Sequence, residues 1–578
     1  MNSMSYIIDQ ANCSCCHLCD LQCPVHAIHM KNRKYWIDPE VCISCGLCAK
    51  NCHNQAIFNP DLPKEIPVAH DKVVKSCDVL VIGGGGSGLT AAAKALDLGK
   101  SVIVLEKNWE TGGSAYFGHM MRVHYSKWHE EQGLEDPREQ LYQSFVEKTE
   151  GRCNNQLVKR CLEADADLAN WLIDVGELQK GFKMGKNRMG FPDLVDNFTC
   201  KLNELRSDPS IGPGASGWYI TNLLADRIRR EGGEILCNTQ AVQLLTQGDR
   251  VVGVLAKDPG GEVEVHAKAV IMAAGTYSRN RELMDKMQPC FYENFEENPI
   301  HIYACSTCTG DGITMCDEIG ADIDYENKRS CIFGPIHHPY SYSVLVVNRY
   351  AEASGVLVNR EGEWINMQGV PPMTEVGVLN SQPGRIGWLI LDQTAWDEAV
   401  ACGLKSKDGD EQMALSHLER DLAGELKDGS VVFADSVEAL AEKLKAAPEK
   451  IRDAISQHNW QIQNPTPAPP VDPDDFMAQI MANMPKGKEI GCGPYYAIYQ
   501  GCFQENAIGG MTIDEHTNVL RQGKPIPGLY ACGDNTRGIM LPGDIGVAFI
   551  EGVLSAMTFA MCSGYVAAEE ASAFCDAE

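Results

Sequence analysis

The chain is poor in basic residues, in aromatics and in long uncharged apolar runs. It carries 50 Lys and Arg against 78 Asp and Glu, a formal net charge of −28, whereas a protein that grips a phosphate backbone needs clustered cations. Nucleic acid is therefore not an expected partner. The opening residues, MNSMSYIIDQ, show no basic stretch followed by an apolar run, so no export signal is expected and the cytoplasm is the expected compartment. The most apolar late stretch, Ile545 to Ala568, is broken by Glu551 and rich in small residues, which reads as a buried helix rather than a direct membrane span. At 44% hydrophobic and 22% charged residues, with 54 Gly spread along it, the chain is globular rather than disordered or fibrous. Its 578 residues exceed the ~250–300 that one core usually holds, so two or more domains of an α/β protein are expected. No segment is strong enough to predict an oligomer.

Cysteine, by contrast, is abundant at 25 residues, and eight of them fall into two matching runs. Cys13, Cys16, Cys19 and Cys23 are followed by Pro24, and the same spacing recurs at Cys42, Cys45, Cys48 and Cys52. Three thiolates on one tight loop can hold three irons of a cubane cluster. A zinc pair would also use Cys-x-x-Cys ligands, but zinc needs only four ligands and gives no reason for two matching four-Cys runs. The segment from about residue 5 to 60 resembles bacterial two-[4Fe-4S] ferredoxins. In that arrangement the fourth Cys of each run serves the other cluster. The resemblance thus implies one cluster on Cys13, Cys16, Cys19 and Cys52 and another on Cys42, Cys45, Cys48 and Cys23. His53 stands where the first run has Pro24, and Cys15 is an extra thiol; both are read as tolerated departures.

After a polar linker, residues 61–76, an apolar strand runs into Gly83-x-Gly85-x-x-Gly88 and then an Ala-rich helix. A second strand, Val102 to Leu105, ends in Glu106, which suits hydrogen bonds to a ribose hydroxyl. A pyrophosphate would lie on the helix N-terminus around Gly85, Gly86, Ser87 and Gly88. The following Gly112, Gly113 and Ser114 favour FAD over NAD. Farther on, Leu541 to Gly546 precede an apolar helix whose N-terminal amides could stabilise charge on a reduced flavin.

These pieces, with Val270 to Thr276, Thr309 to Gly312, Gly509 to Met511 and Gly528 to Asn535, resemble the flavoprotein family of fumarate reductase, succinate dehydrogenase and 3-ketosteroid dehydrogenases. The resemblance implies a Rossmann-like α/β FAD-binding domain, residues 77–293 and 487–578, interrupted by an α+β capping domain, residues 294–486, and preceded by the ferredoxin-like domain, residues 1–60. It adds Lys107, Ala274, Gly275, Asp311, Gly533, Asp534, Gly546 and Val547 to the expected FAD-binding residues. No His precedes Gly112, where members that bind flavin covalently carry one, so noncovalent FAD is expected.

The fumarate reductases of that family use a cap Arg as proton donor and His and Arg residues to hold a dicarboxylate. Here no Arg lies between Arg360 and Arg385, Gln504, Glu505 and Asn506 stand where the His pair is expected, and Asp544 replaces the carboxylate-binding Arg. A dicarboxylate would lose its cationic clamp. The segment Gly493 to Ala497 instead resembles the ketosteroid branch, which nominates Tyr496 as an acid, although a packed core aromatic reads equally well. Tyr116, His338, Tyr340 and a desolvated Glu505 are the other acid–base candidates. Cys305 and Cys308 are read as structural. The expected activity is hydride transfer from FAD to an uncharged unsaturated carbonyl, steroid-like or aromatic, with electrons supplied through the clusters by a ferredoxin-like protein. A ketone dehydrogenase running in reverse, or an electron-transfer subunit without its own small substrate, would share these features.

Overall fold

The computed structural model describes residues 6–13, 18–21, 23–31, 34–62, 67–117, 121–148, 154–175, 182–185, 196–200, 215–287, 301–302, 304–325, 354–367, 378–379, 381–404, 418–465, 487–501, 503–504, 509–537 and 556–578. Its largest element is an eight-stranded mixed sheet. Strands Glu234–Leu236, Val102–Leu105, Val73–Ile82, Glu262–Met272 and Lys524–Ala531 run parallel in that spatial order. Arg250–Lys257 and Gln240–Gln247 extend the sheet as antiparallel hairpins.

The inner strands are continuous apolar runs because both faces are covered: Val79, Leu80, Val81 and Ile82 are all buried, as are Val102 to Leu105. Each such side chain contributes roughly 1.5–3 kcal/mol by leaving water. Helix Gly86–Asp97 packs against Ala556–Ala577 and Ala215–Arg230. The approach is close because small residues face one another; a Cβ on Gly564 would stand 2.3 Å from Ser87 O. The late apolar stretch thus contributes, in its described part, to a buried helix. No helix among the described residues is long and apolar enough to cross a membrane.

A four-stranded antiparallel sheet forms a second layer, in the order Val356–Asn359, Gly387–Asp392, Tyr495–Gln500 and Val431–Ala434. Alternate residues serve two cores: Leu357, Leu389, Leu391 and Ile498 point into one, and Val356, Val358, Ile390 and Ala497 into the other. Tyr495–Gln500 is an inner strand of this second sheet, paired on both edges and covered on both faces by the two cores. The first strand of the large sheet begins at Val73.

The N-terminal unit is small: a hairpin of Ile28–Lys31 and Lys34–Ile37, a pair Ile7–Ile8 with Ile57–Phe58, and short helices Leu18–Leu21 and Leu47–Lys50. Ala27, Ile28, Tyr35, Ile37 and Ile57 form its core, with the cysteines packed around them.

Candidate functional site

The dinucleotide cradle is made by residues that cannot carry side chains. Gly83 has φ +108°, and a Cβ there would stand 2.2 Å from Ala273 O; one on Gly88 would stand 1.9 Å from Gly83 O. The second glycine turn lies directly on the first: Gly112 N donates to Gly84 O at 2.8 Å, and the site of a Cβ on Gly113 is 3.1 Å from Gly85 Cα. Gly85 caps helix Gly86–Asp97, and the atoms nearest a Cβ there are 3.9 Å away, leaving room before the helix amides.

Glu106 closes the neighbouring strand end. Its buried carboxylate accepts from Gly84 N and Asn108 N, each at 2.7 Å, while burial pushes its pKa up. Asn535 is a residue that motif reading quoted without giving it a role. Its Oδ1 accepts from Ala274 N at 2.5 Å, and its Nδ2 donates to Met272 O at 3.2 Å and Cys532 O at 3.0 Å. It therefore ties the ends of two parallel strands under the cradle. Beside it, Gly533 has φ +72°, and a Cβ there would meet Ser87 Oγ at 2.6 Å. Burial raises the pKa of Asp534 to about 6. An open helix start, side-chain-free approach on two turns and buried acids with room for polar partners fit FAD.

Two expected FAD residues have other partners. Lys107 Nζ donates to Asp311 Oδ2 at 2.8 Å, and Gln240 Nε2 donates to the same oxygen at 2.8 Å. The pair fastens the start of helix Asp311–Glu318 to the end of the strand preceding Glu106. Tyr496 is likewise occupied: its ring stacks on Trp396 with centroids 4.3 Å apart and planes 4° apart, and Phe433 packs against it at 5.1 Å. Its ring is thus packed against the second sheet's core. Cys16, His338, Tyr340, Glu505, Gly546 and Val547 lie outside the described residues.

In the N-terminal unit Cys13, Cys19, Cys23, Cys42, Cys48 and Cys52 pack around the small apolar core. Among the described residues no three His, Cys, Asp or Glu side chains are drawn together as a ready-made metal-ion site, but Cys48 is influenced by the charges of Cys23, Cys42 and Cys45, and Cys52 by that of Cys13. Burial raises the pKa of Cys48 to about 11, so holding these thiolates calls for added positive charge. Backbone amides supply part of that support: Ala27 N donates to Cys23 Sγ at 3.2 Å, Ser44 N to Cys42 Sγ at 3.4 Å and Ala56 N to Cys52 Sγ at 3.2 Å. This donor chemistry fits iron–sulphur clusters.

The unit docks on the cradle through the residues that follow Cys52. His53, 2% exposed, donates through Nδ1 to Glu110 Oε1 at 2.7 Å. Burial opposes its charged form, but the Cys305 sulfur and Glu110 outweigh that and raise its pKa to about 10. His53 O accepts from Asn108 Nδ2 at 3.0 Å and Trp109 Nε1 at 3.2 Å, and Ser306 N donates to Asn54 Oδ1 at 3.1 Å. The His53 ring stacks on Tyr116 with centroids 4.4 Å apart. Tyr116 is thus placed in the seam, on the turn Gly113–Phe117. Cys305 and Cys308 are buried behind it, with Ser114 Oγ 3.5 Å from Cys308 Sγ. Sequence reasoning passed over this seam; its one signal was a His in the position Pro24 holds after the first run.

Residues 78–543 match the family model described as FAD binding domain, and residues 35–58 the one described as 4Fe-4S binding domain. The chain is 25% identical over 507 residues to the NADH:fumarate oxidoreductase of Klebsiella pneumoniae (strain 342), covering 87% of this chain and 48% of that protein. It is 24% identical over 516 residues to the vinyl phenol reductase of Lactiplantibacillus plantarum (strain ATCC BAA-793 / NCIMB 8826 / WCFS1), covering 82% and 95%. The chain thus spans about half the length of the first relative, 48%, and nearly all of the second. The fold matches the crystal structure of 3-ketosteroid delta1-dehydrogenase from Sterolibacterium denitrificans at a TM-score of 0.64 and 18% identity, over 86% of this chain and 100% of that one.

Proposed function

The chain belongs to the FAD binding domain family and carries a 4Fe-4S binding domain near its start, and from that premise we propose that it is an oxidoreductase reducing an activated C=C bond. The observation that carries the reading is the buried seam: Cys52 leads directly into His53, which packs on the turn that forms one wall of the dinucleotide cradle. A cluster unit held against such a cradle serves to bring single electrons to a two-electron cofactor. Relatives named for the reduction of fumarate and vinyl phenol support the reaction class.

FAD held noncovalently by these residues would supply hydride chemistry toward the carbon β to an electron-withdrawing group. The chain's own part is to bind and orient. Gly83 to Gly88 and Gly112 to Ser114 admit the dinucleotide without side-chain obstruction, and Glu106 offers acceptors where a ribose would lie. The proton for the neighbouring carbon falls to one of Tyr496, Glu505, His338, Tyr340 and Tyr116; the rings of Tyr496 and Tyr116 are stacked on Trp396 and His53, a contact of ring faces that does not itself engage the phenol hydroxyl. With no Arg between Arg360 and Arg385 and Asp544 near the cradle in sequence, the substrate is an uncharged enone, steroid-like or aromatic, rather than a dicarboxylate. The two Cys runs would hold two [4Fe-4S] clusters, which would supply one-electron transfer from a ferredoxin-like donor in the cytoplasm.

The test is an anaerobic reoxidation screen. Protein reduced with dithionite is mixed in turn with fumarate, a 3-ketosteroid bearing a ring double bond and simple aromatic enones, and flavin absorbance is followed. Rapid reoxidation by an enone but not by fumarate is the expected result. Rapid reoxidation by fumarate overturns the substrate class, and reoxidation only by a protein carrier overturns the enzyme.

A further inference from the structure

The N-terminal unit is docked with a definite polarity. Its hydrogen bonds to the strand ends and turns around the cradle come from the neighbourhood of Cys52 and Cys13, while its strand Ile28–Lys31 packs separately against helix Leu418–Asp428. His53 and Asn54 bond Glu110, Asn108, Trp109 and Ser306, while Ala11 O accepts from Arg279 Nη1 at 3.3 Å. The other thiol group faces away. Cys45 is exposed, and its neighbours Ile43 and Leu47 are 60% and 42% exposed although both are apolar.

Resting on the reading that the clusters serve the flavin, we propose that the cluster sharing Cys13 and Cys52 is the inner one, and that the His53–Tyr116 stack is the junction through which electrons cross to the cradle. Electron transfer through protein weakens steeply with distance and more steeply across gaps than through packed atoms. The covalent step from Cys52 to His53, the ring contact with centroids 4.4 Å apart, and the short turn from Tyr116 back to Ser114, Gly113 and Gly112 make the protein part of such a path continuous from the thiol's own residue to the glycine turn. Each crossing takes one electron from the inner cluster and gives one to the flavin. Neither ring is itself oxidised, and no bond is made or broken in the stack; protons needed by the reduced flavin come from solvent. The group around Cys45 is then the outer port, where an external one-electron donor delivers. Glu110, Asn108 and Trp109 are positioning residues, holding His53 in register rather than conducting.

The experiment uses the full-length holoprotein without oxygen, mixed rapidly with Ti(III) citrate as a one-electron reductant, with cluster bleaching and flavin bleaching followed separately. Iron and FAD contents are measured first in each variant. Tyr116→Leu and His53→Ala are expected to retain both cofactors and cluster bleaching while flavin bleaching slows, by about tenfold or more in His53→Ala, where the hydrogen bond to Glu110 that holds the seam is lost as well as the ring. Tyr116→Phe keeps the ring and is expected to bleach as the parent does, which separates a stacking role from an acid role. Cys45→Ser, losing the outer cluster, is expected to leave flavin reducible by the small reductant, whereas Cys13→Ser is expected to isolate it. Unchanged flavin bleaching in both Tyr116→Leu and His53→Ala, with cofactors retained, overturns the junction. Flavin isolated by Cys45→Ser but not by Cys13→Ser overturns the polarity. Clusters that bleach without ever reducing flavin in the parent protein overturn the junction together with the reductase reading, and that result is distinct from either failure alone.

Discussion

The eight-stranded and four-stranded sheets both bury apolar residues on two faces, but their strand ends are built in opposite ways. In the first, strands run out into glycines whose missing side chains are a steric requirement: a Cβ on Gly83 or Gly88 would lie within 2.2 Å of a carbonyl oxygen. In the second, space is filled by rings, Trp396 on Tyr496 and Trp388 edge-on to Tyr499 at 5.4 Å. One region keeps room for a guest and satisfies its own polar groups through backbone amides. The other uses its aromatic volume for its own stability. The ring of Tyr496 is therefore part of that packing, whatever its flanking sequence suggests for its hydroxyl.

Substitutions can break this contrast. The largest effect is expected at Gly88→Ala, whose Cβ would overlap Gly83 O at 1.9 Å: overpacking costs about 1–3 kcal/mol or more, and the purified protein should lack flavin absorbance. Retained FAD would show that the turn can yield. In the second sheet, Tyr496→Ala truncates a partly buried ring and should lower denaturant stability by less than the ~3–5 kcal/mol of a fully buried aromatic. Tyr496→Phe should cost under about 1.5 kcal/mol and leave turnover within a few-fold. A loss of about a hundredfold or more in the Phe variant would return Tyr496 to the acid role. Asn535→Ala should cost about 1–3 kcal/mol through unsatisfied backbone groups and weaken FAD binding, read by fluorescence titration.

The smallest effect is a pH slope. Burial raises the pKa of Asp534 from 3.8 to about 6, so the folded protein without FAD holds this proton more tightly than the unfolded chain. The group's contribution to stability is highest below about pH 4 and falls as pH rises through about 6. Asp534→Asn should remove that part of the slope in denaturation curves recorded across this range; an identical slope in both proteins would place the titration elsewhere.

What could be read without coordinates follows from locality. Gly83 to Gly88, Glu106 and the two Cys runs are set by backbone geometry or ligand spacing within a few residues, and the α/β flavoprotein fold with its 4Fe-4S unit could be read from them. Pairing across long separations could not. Lys107 and Asp311 resemble free cofactor ligands until a contact spanning 204 residues joins them. Tyr495–Gln500 is apolar on both faces and would suit either sheet; only its registers with Gly387–Asp392 and Val431–Ala434 decide. His53 and Tyr116 carry no motif, because a docking seam is defined by what two units present to each other.

The close approach of Gly564 to Ser87 also sets a timetable. The thiols of the N-terminal unit are all in place once Cys52 has been made, so clusters can be inserted while most of the chain is still to come. The cradle waits for Asn535 to join the strand ends and for helix Ala556–Ala577 to settle on Gly86–Asp97. Such distant contacts are slow to form. Flavin retention is therefore a report on completed synthesis and folding, while iron content is not, and a preparation rich in iron but poor in flavin would be the signature of chains arrested between the two.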